Sequence, residues 1–397
     1  MLNRFDDYPV HQSGQPLLHV ATASLNAYDR YFFNGYRLDD GLMFGAALGV
    51  YPNRGVIHAG LSVLVDGEQV STLASGRAPL DRTRTRVGPL RVDVLEPLRV
   101  LRVRCRPNDG PLSADLVFRA RTAAVEEPRF VSEQDGRTVL DYTRVTQFGS
   151  WEGWIDIDGR RIDVDSTVLG CRDRSWGVRP IGERAGRGAP SREAPQFFWL
   201  WAPLNFNGCG VLFDVNEFGD GRRWHGFGAI VPQLLDGLGL GDTDEEFAAG
   251  IDPDLLEAAR DAAEDALVAP PIVMRGSQYV IDWEPGTRRS AMASIILEPY
   301  GGIDTHIIRL EPVATFQMSG LGYGHPEWGH GCWRGENETV SWRWRSDEVD
   351  PQKSASIHVQ QLVVARWGDQ RGVGVLEQLV IGNHDPTGLA GLFDGSP

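Results

Sequence analysis

The densest run of reactive side chains is Gly322-Tyr323-Gly324-His325-Pro326-Glu327-Trp328-Gly329-His330-Gly331-Cys332-Trp333-Arg334-Gly335-Glu336. It sets two of the nine histidines and two carboxylates among five glycines. Glycine at this density is incompatible with a helix, and so with an HExxH zinc site. A loop could present His325, His330 and Glu336 to a metal, but their spacing fits no established ligand pattern, and no metal is expected. The plainer reading is a tight turn whose His and Glu satisfy backbone groups. The chemical reading is acid–base work, because ionisable groups beside Trp328 and Trp333 have displaced pKa values. The catalytic candidates here are His325, Glu327, His330 and Glu336. Tyr323, Trp328 and Trp333 are candidate ligand contacts.

A second cluster is Asp173-Arg174-Ser175-Trp176-Gly177-Val178-Arg179-Pro180. Asp173 is a candidate acid. Flanked by Arg172, Arg174 and Arg179, it could equally serve a structural role, with Arg174 and Arg179 in ion pairs. His225 in Arg223-Trp224-His225-Gly226 is either a satisfied structural histidine or a ligand contact. All twelve tryptophans lie after residue 150. Trp199/Trp201 and Trp342/Trp344 are i, i+2 pairs, so each pair shares one face of a strand. Core packing explains most of the tryptophans. Trp176, Trp199 and Trp201 are the candidates for a pocket wall.

The elements that must position these groups are strands. Asp-Gly turns at Asp66-Gly67, Asp109-Gly110, Asp135-Gly136, Asp158-Gly159 and Asp220-Gly221 punctuate alternating runs, and both turn positions are expected at positive φ. In Leu101-Arg102-Val103-Arg104-Cys105 the apolar residues face one way and the arginines the other. Thr83 to Val87 repeats this with Arg84 and Arg86 outward. With 47 glycines and 24 prolines, the pattern predicts a mostly β chain of barrels or sandwiches. Further strands are expected over 272–297, 340–344, 356–365 and 373–381. Asp242 to Asp265 breaks the rhythm with ten acidic residues and one basic, a charge of 1 − 10 = −9. Helical spacing and caps at Thr243 and Asp252 predict helices over about 244–250 and 253–268, followed by a hinge at Ala269-Pro270-Pro271.

Length divides 397 residues into two domains, 1–190 and 191–397, the second carrying the helical insert at about 243–268. A gapless match at an offset of 152 residues supports duplication. Leu169-Gly170-Cys171-Arg172-Asp173-Arg174-Ser175-Trp176-Gly177 shares Leu, Gly, Trp and Gly with Leu321-Gly322-Tyr323-Gly324-His325-Pro326-Glu327-Trp328-Gly329. A net charge of −15 argues against nucleic acid as a partner. No apolar run is long enough to span a membrane, and no secretory segment is evident. The four cysteines form no CxxC pair, which suits free thiols in the cytoplasm. There is no GxSxG elbow and no P-loop, and Gly237 to Gly241 is no dinucleotide fingerprint. No organic cofactor is expected, and a homodimer is compatible with the sequence.

The Asp-Arg-Ser-Trp-Gly stretch and the Gly-His-Pro-Glu-Trp-Gly-His-Gly stretch, in a doubled β chain, resemble the lipocalin-like tandem superfamily of carotenoid 1,2-hydratases and AttH-like proteins. The resemblance covers most of the chain, and the acidic insert marks it as a sister branch. It implies two lipocalin-like antiparallel β-domains in tandem and a bulky isoprenoid, terpenoid or steroid-like ligand. It also implies a hydratase or lyase reaction at a C=C bond: Asp173 or Glu327 as a buried acid, His325 or His330 handling water, tryptophans facing the cation. The alternatives are a non-catalytic carrier and a metal-assisted lyase or isomerase.

Overall fold

In the computed structural model the chain is described over residues 9, 14–181, 189, 191–234, 270–302 and 305–396. The expected acidic helices and the residue Ala269 of the hinge lie outside these residues. The first part supplies β1 (Ala27–Arg37), β2 (Leu42–Tyr51), β3 (Val56–Val65), β4 (Glu68–Arg77), β5 (Arg86–Val87), β6 (Leu90–Glu96) and β7 (Val100–Cys105). It continues with β8 (Leu112–Ala120), β9 (Val125–Glu126), β10 (Phe130–Gln134), β11 (Arg137–Ile157), β12 (Arg160–Val164) and β13 (Leu169–Val178). The second part supplies β14 (Phe197–Phe206), β15 (Cys209–Glu217), β16 (Arg223–Pro232), β17 (Ile272–Val273) and β18 (Gly276–Trp283). After these come β19 (Ser290–Glu298), β20 (His306–Gln317), β21 (Asn337–Arg345), β22 (His358–Trp367) and β23 (Gln370–Ile381).

The described strands form two antiparallel sheets, as a tandem lipocalin-like chain requires. One runs β21-β4-β3-β2-β1-β13-β11-β8-β7-β6-β5, with β9, β10 and β12 added on β11. The other runs β17-β16-β15-β14-β23-β22-β20-β19-β18. The first curls into a barrel, and Gly88 N–H at its far end donates to Asn337 Oδ1 of β21 at 2.9 Å. That strand comes from the second half of the chain and pairs along all of β4, from Asn337 opposite Gly76 to Arg345 opposite Glu68. No local pattern in the sequence marks this crossover.

Local chemistry explains the hairpins. Asp66-Gly67, Asp135-Gly136 and Asp158-Gly159 all take positive φ and make tight two-residue turns. Asp109-Gly110 and Asp220-Gly221 do not follow the expectation. Neither aspartate has positive φ, and both dipeptides sit in longer loops, with Asn108 Oδ1 and Asp220 Oδ1 accepting backbone N–H bonds inside them. The barrel interior is apolar and centred on Trp151, whose ring meets Phe44 and Phe118 at 5.3 Å and Phe33 at 5.7 Å. Its indole N–H donates to Asn34 O at 2.8 Å, the partner a buried indole requires.

The two sheets press together over a third cluster. Phe32, Tyr36, Phe148 and Cys171 come from the first sheet, and Trp201, Leu212, Phe316 and Leu362 from the second. This seam holds the candidate site described below.

The two stretches aligned at an offset of 152 residues are not structural equivalents. Leu169–Gly177 lies within β13, whereas Leu321–Gly329 leaves a 3-10 turn (Met318–Leu321) and proceeds through turns. Gly322 and Gly324 adopt φ of 94° and 63°, which a strand does not tolerate.

Candidate functional site

Alternation builds one wall of the seam. On β1, Tyr28, Arg30, Phe32, Asn34 and Tyr36 share a face; on β13, Cys171, Asp173 and Ser175 do; on β11, Tyr142, Arg144, Thr146 and Phe148 do. Register turns these faces into lanes. Asp173 lies between Phe32 and Thr146, and the next lane is Arg30, Ser175, Arg144. Asp173 is thus diagonal to two arginines from the flanking strands. The opposite wall has matching lanes. One is Gln360, Glu377, Trp201, Asp214; the other is His358, Leu379, Trp199, Asn216.

Ring contacts close the walls around Asp173. Arg144 lies over Trp201 and Trp199 at 5.3 and 5.6 Å. Trp199 meets His358 at 5.9 Å, His358 meets Tyr323 at 4.9 Å, and Arg30 lies over Tyr323 at 4.9 Å. Tyr323 also meets His330 at 4.3 Å.

Most polar groups at the rim are bonded. Arg144 donates to Glu127 Oε1 (2.9 Å) and Asp214 Oδ2 (2.6 Å), and Thr146 Oγ1 donates to Glu127 Oε1 (2.5 Å). Burial pushes the Glu127 carboxyl up to about 8, whereas its bonding partners keep Asp214 below its ordinary value. Burial thus disfavours charge on Glu127, while bonding favours charge on Asp214. Glu377 accepts from Gln360 Nε2 (2.6 Å) and pairs with His358 Nε2 (2.5 Å). His330 lies with Nδ1 3.3 Å from Arg30 Nη1 and Nε2 2.9 Å from Leu321 O. Burial, with Arg30 next, depresses its pKa well below the usual imidazole value, so both nitrogens are engaged in the neutral form.

The middle of the seam is different. Asp173 Oδ1, Arg30 Nε and the indole N–H groups of Trp199 and Trp201 are buried with no hydrogen-bond partner among the described residues, and Ser175 Oγ and Tyr28 OH have only each other. Each such group costs about 1–3 kcal/mol, and most native proteins hold few of them. Their gathering in one seam makes it the candidate site. Desolvation raises the Asp173 carboxyl above its ordinary value, against the pull of Arg30, Arg144 and Arg179.

The structure gathers some of the sequence candidates and scatters others. Asp173, Tyr323, His330, Trp199 and Trp201 meet in the seam. His225 stacks on Phe130 at 3.7 Å, with Nε2 3.3 Å from Asp214 Oδ1, behind Arg144. Glu327 is exposed, and Glu336 pairs with Arg77 in solvent. His325 Nδ1 accepts the backbone N–H groups of Glu327 (3.2 Å) and Trp328 (3.0 Å), so it holds its own turn. Trp328 packs against Trp342 at 6.1 Å, and Trp333 lies under Arg77. Trp176 points away from Asp173, 42% exposed, because odd and even positions of β13 face opposite ways. Arg174 pairs with Asp29 on that outer side. Arg179, expected in an ion pair, has no carboxylate within bonding range among the described residues; its guanidinium packs on Tyr28 at 5.2 Å. Among the described residues no three His, Cys, Asp or Glu side chains cluster to hold a metal.

Sequence reading missed Tyr28, Arg30, Arg144, His358 and Glu377. The signal was present in β1 as Tyr-x-Arg-x-Phe-x-Asn-x-Tyr, two polar residues set into an otherwise aromatic face.

A cavity of about 810 Å³ opens elsewhere, under residues 15–23, lined also by Val50, Asn53, Arg77, Leu80 and Arg82. It has no carboxylate and no tryptophan in its lining, so the seam is the better candidate for acid chemistry.

A family model described as "Family of unknown function (DUF8625)" matches residues 2–390. The chain belongs to that family. No curated protein matches it. Among solved structures, a Nitrosomonas europaea protein provisionally described as AttH is similar at 11% identity and a TM-score of 0.49, over 89% of this chain and 91% of that one. No described helix is long and apolar enough to cross a membrane.

Proposed function

We propose that the seam holds a small molecule with an apolar, unsaturated body, and that Asp173 protonates it at a C=C bond so that water is added or, in reverse, removed. The observation that supports this most is Asp173 itself, a sealed carboxyl with one unpartnered oxygen on the floor of an aromatic ring of side chains. A displaced carboxyl of this kind is suited to general acid work. The Asp173 O–H bond breaks, the π pair takes the proton, and the neighbouring carbon becomes a cation beside the indole faces of Trp199 and Trp201. Water attacks that carbon, and His358, oriented by Glu377, takes its surplus proton. On this reading the chain is a sister branch of the carotenoid 1,2-hydratases.

The test is tryptophan fluorescence against a panel of isoprenoids, steroids and fatty acids, followed by mass analysis of each binder. Quenching with a mass gain or loss of one water supports the reading. Quenching with no product leaves a carrier and removes the catalytic role of Asp173. Full turnover by Asp173→Asn overturns the mechanism.

A further inference from the structure

We infer that the ligand of the seam carries a carboxylate, gripped by Arg30 and Arg179. This rests on the seam being the binding site and adds the chemical class of one end of the ligand. Arg30 is buried, at 3% exposure, yet no carboxylate oxygen among the described residues lies within 4 Å of its guanidinium. Among the described residues its one side-chain hydrogen bond goes to a neutral imidazole nitrogen at 3.3 Å, and its Nε has no partner. A guanidinium has five donors, and burying them unmatched is costly.

Arg179 repeats the situation from the other side. It shares the rings of Tyr28 and Tyr323 with Arg30: Arg179 lies 5.2 and 5.9 Å from them, Arg30 6.0 and 4.9 Å. The two cations therefore flank one aromatic slot, and the Tyr28 hydroxyl, which is bonded to Ser175, adds a neutral donor at its floor. Arg144, by contrast, already has Glu127 and Asp214. Among the described residues the fold supplies two carboxylates to buried Arg144 and none to buried Arg30 or half-buried Arg179.

A planar carboxylate fits this slot, because two guanidinium forks and a phenol match its four lone-pair directions. A phosphate is disfavoured. Its second charge would face Glu377, which acts on the same Tyr323. With the carboxylate in this slot, Asp173 lies next along the seam, and the apolar body extends toward Trp199 and Trp201.

The experiment uses matched probes on the full chain: geranic acid and geraniol, oleic acid and oleyl alcohol, retinoic acid and retinol, with geranyl phosphate as the dianion. Dissociation constants come from tryptophan quenching. The acid of at least one pair is expected to bind roughly 10- to 100-fold tighter than its alcohol, the range for hydrogen bonds to a charged group. Arg30→Met and Arg179→Met are each expected to erase that preference while alcohol binding persists. Should Arg30→Met fail to fold by circular dichroism, the half-buried Arg179→Met decides. Equal binding of acid and alcohol, tighter binding of the phosphate, or an unchanged preference in a folded variant overturns the carboxylate and leaves the apolar seam standing. No binding by any probe removes both.

Discussion

The stretches Leu169–Gly177 and Leu321–Gly329 share four residues in register, yet one delivers a sealed carboxyl and the other leaves its carboxyl in water. In β13 every second side chain is aimed into the seam, and Asp173 is 7% exposed. In the loop, positive-φ glycines and Pro326 turn the chain. His325 caps the turn with two accepted N–H bonds, and Glu327 faces solvent. Matching letters did not produce matching environments. What raises the pKa of Asp173 is the desolvation that a paired strand imposes and a surface turn does not.

That contrast can be broken at several strengths. The largest effect is expected from Arg144→Ala, which strands Glu127 and Asp214 between the sheets. Unfolding in urea should show a loss of about 3–5 kcal/mol. Removing Arg77 from its exposed pair with Glu336 should leave the midpoint unmoved, and equal losses would mean the seam network is not buried as described. Next comes catalysis. With a turned-over ligand in hand, Asp173→Asn should lower turnover ~100- to 10,000-fold, and Glu327→Gln should not change it.

Backbone crowding gives a smaller difference. A Cβ on Gly170 would lie 2.1 Å from Asn34 O, so Gly170→Ala should destabilise by about 1–3 kcal/mol. The loop glycine Gly329 has its nearest neighbour at 3.3 Å, and its alanine variant should melt closer to the parent.

The smallest effect is a slope. Glu127 has its pKa raised to about 8 in the folded chain, so its contribution to stability is complete below its unfolded value and is lost as pH rises through about 8. Glu127→Gln should therefore flatten the decline in unfolding free energy across this window. An unchanged slope would mean the proton resides elsewhere in the network.

Several features were legible in the chain itself. Alternation in Leu101–Cys105 and the Asp-Gly pairs at 66, 135 and 158 specified strands and tight turns, because period two and positive φ are local properties. The tryptophan pair 199/201 declared a shared face for the same reason. Asp173 was visible as a candidate, but not its partners. The arginines beside it in sequence point to the other side of β13, while Arg30 and Arg144 arrive from strands some 143 and 29 residues away by number.

Long-range pairing decided the rest. Nothing in residues 337–345 says that they will complete the first sheet rather than the second. Nothing local tells Arg144, which receives two carboxylates, from Arg30, which receives none among the described residues. A sequence fixes which side chains alternate and where the chain can turn, since those depend on neighbouring dihedrals. Which carboxyl loses its water, and which arginine gains a carboxylate, depends on what the opposite sheet brings against it.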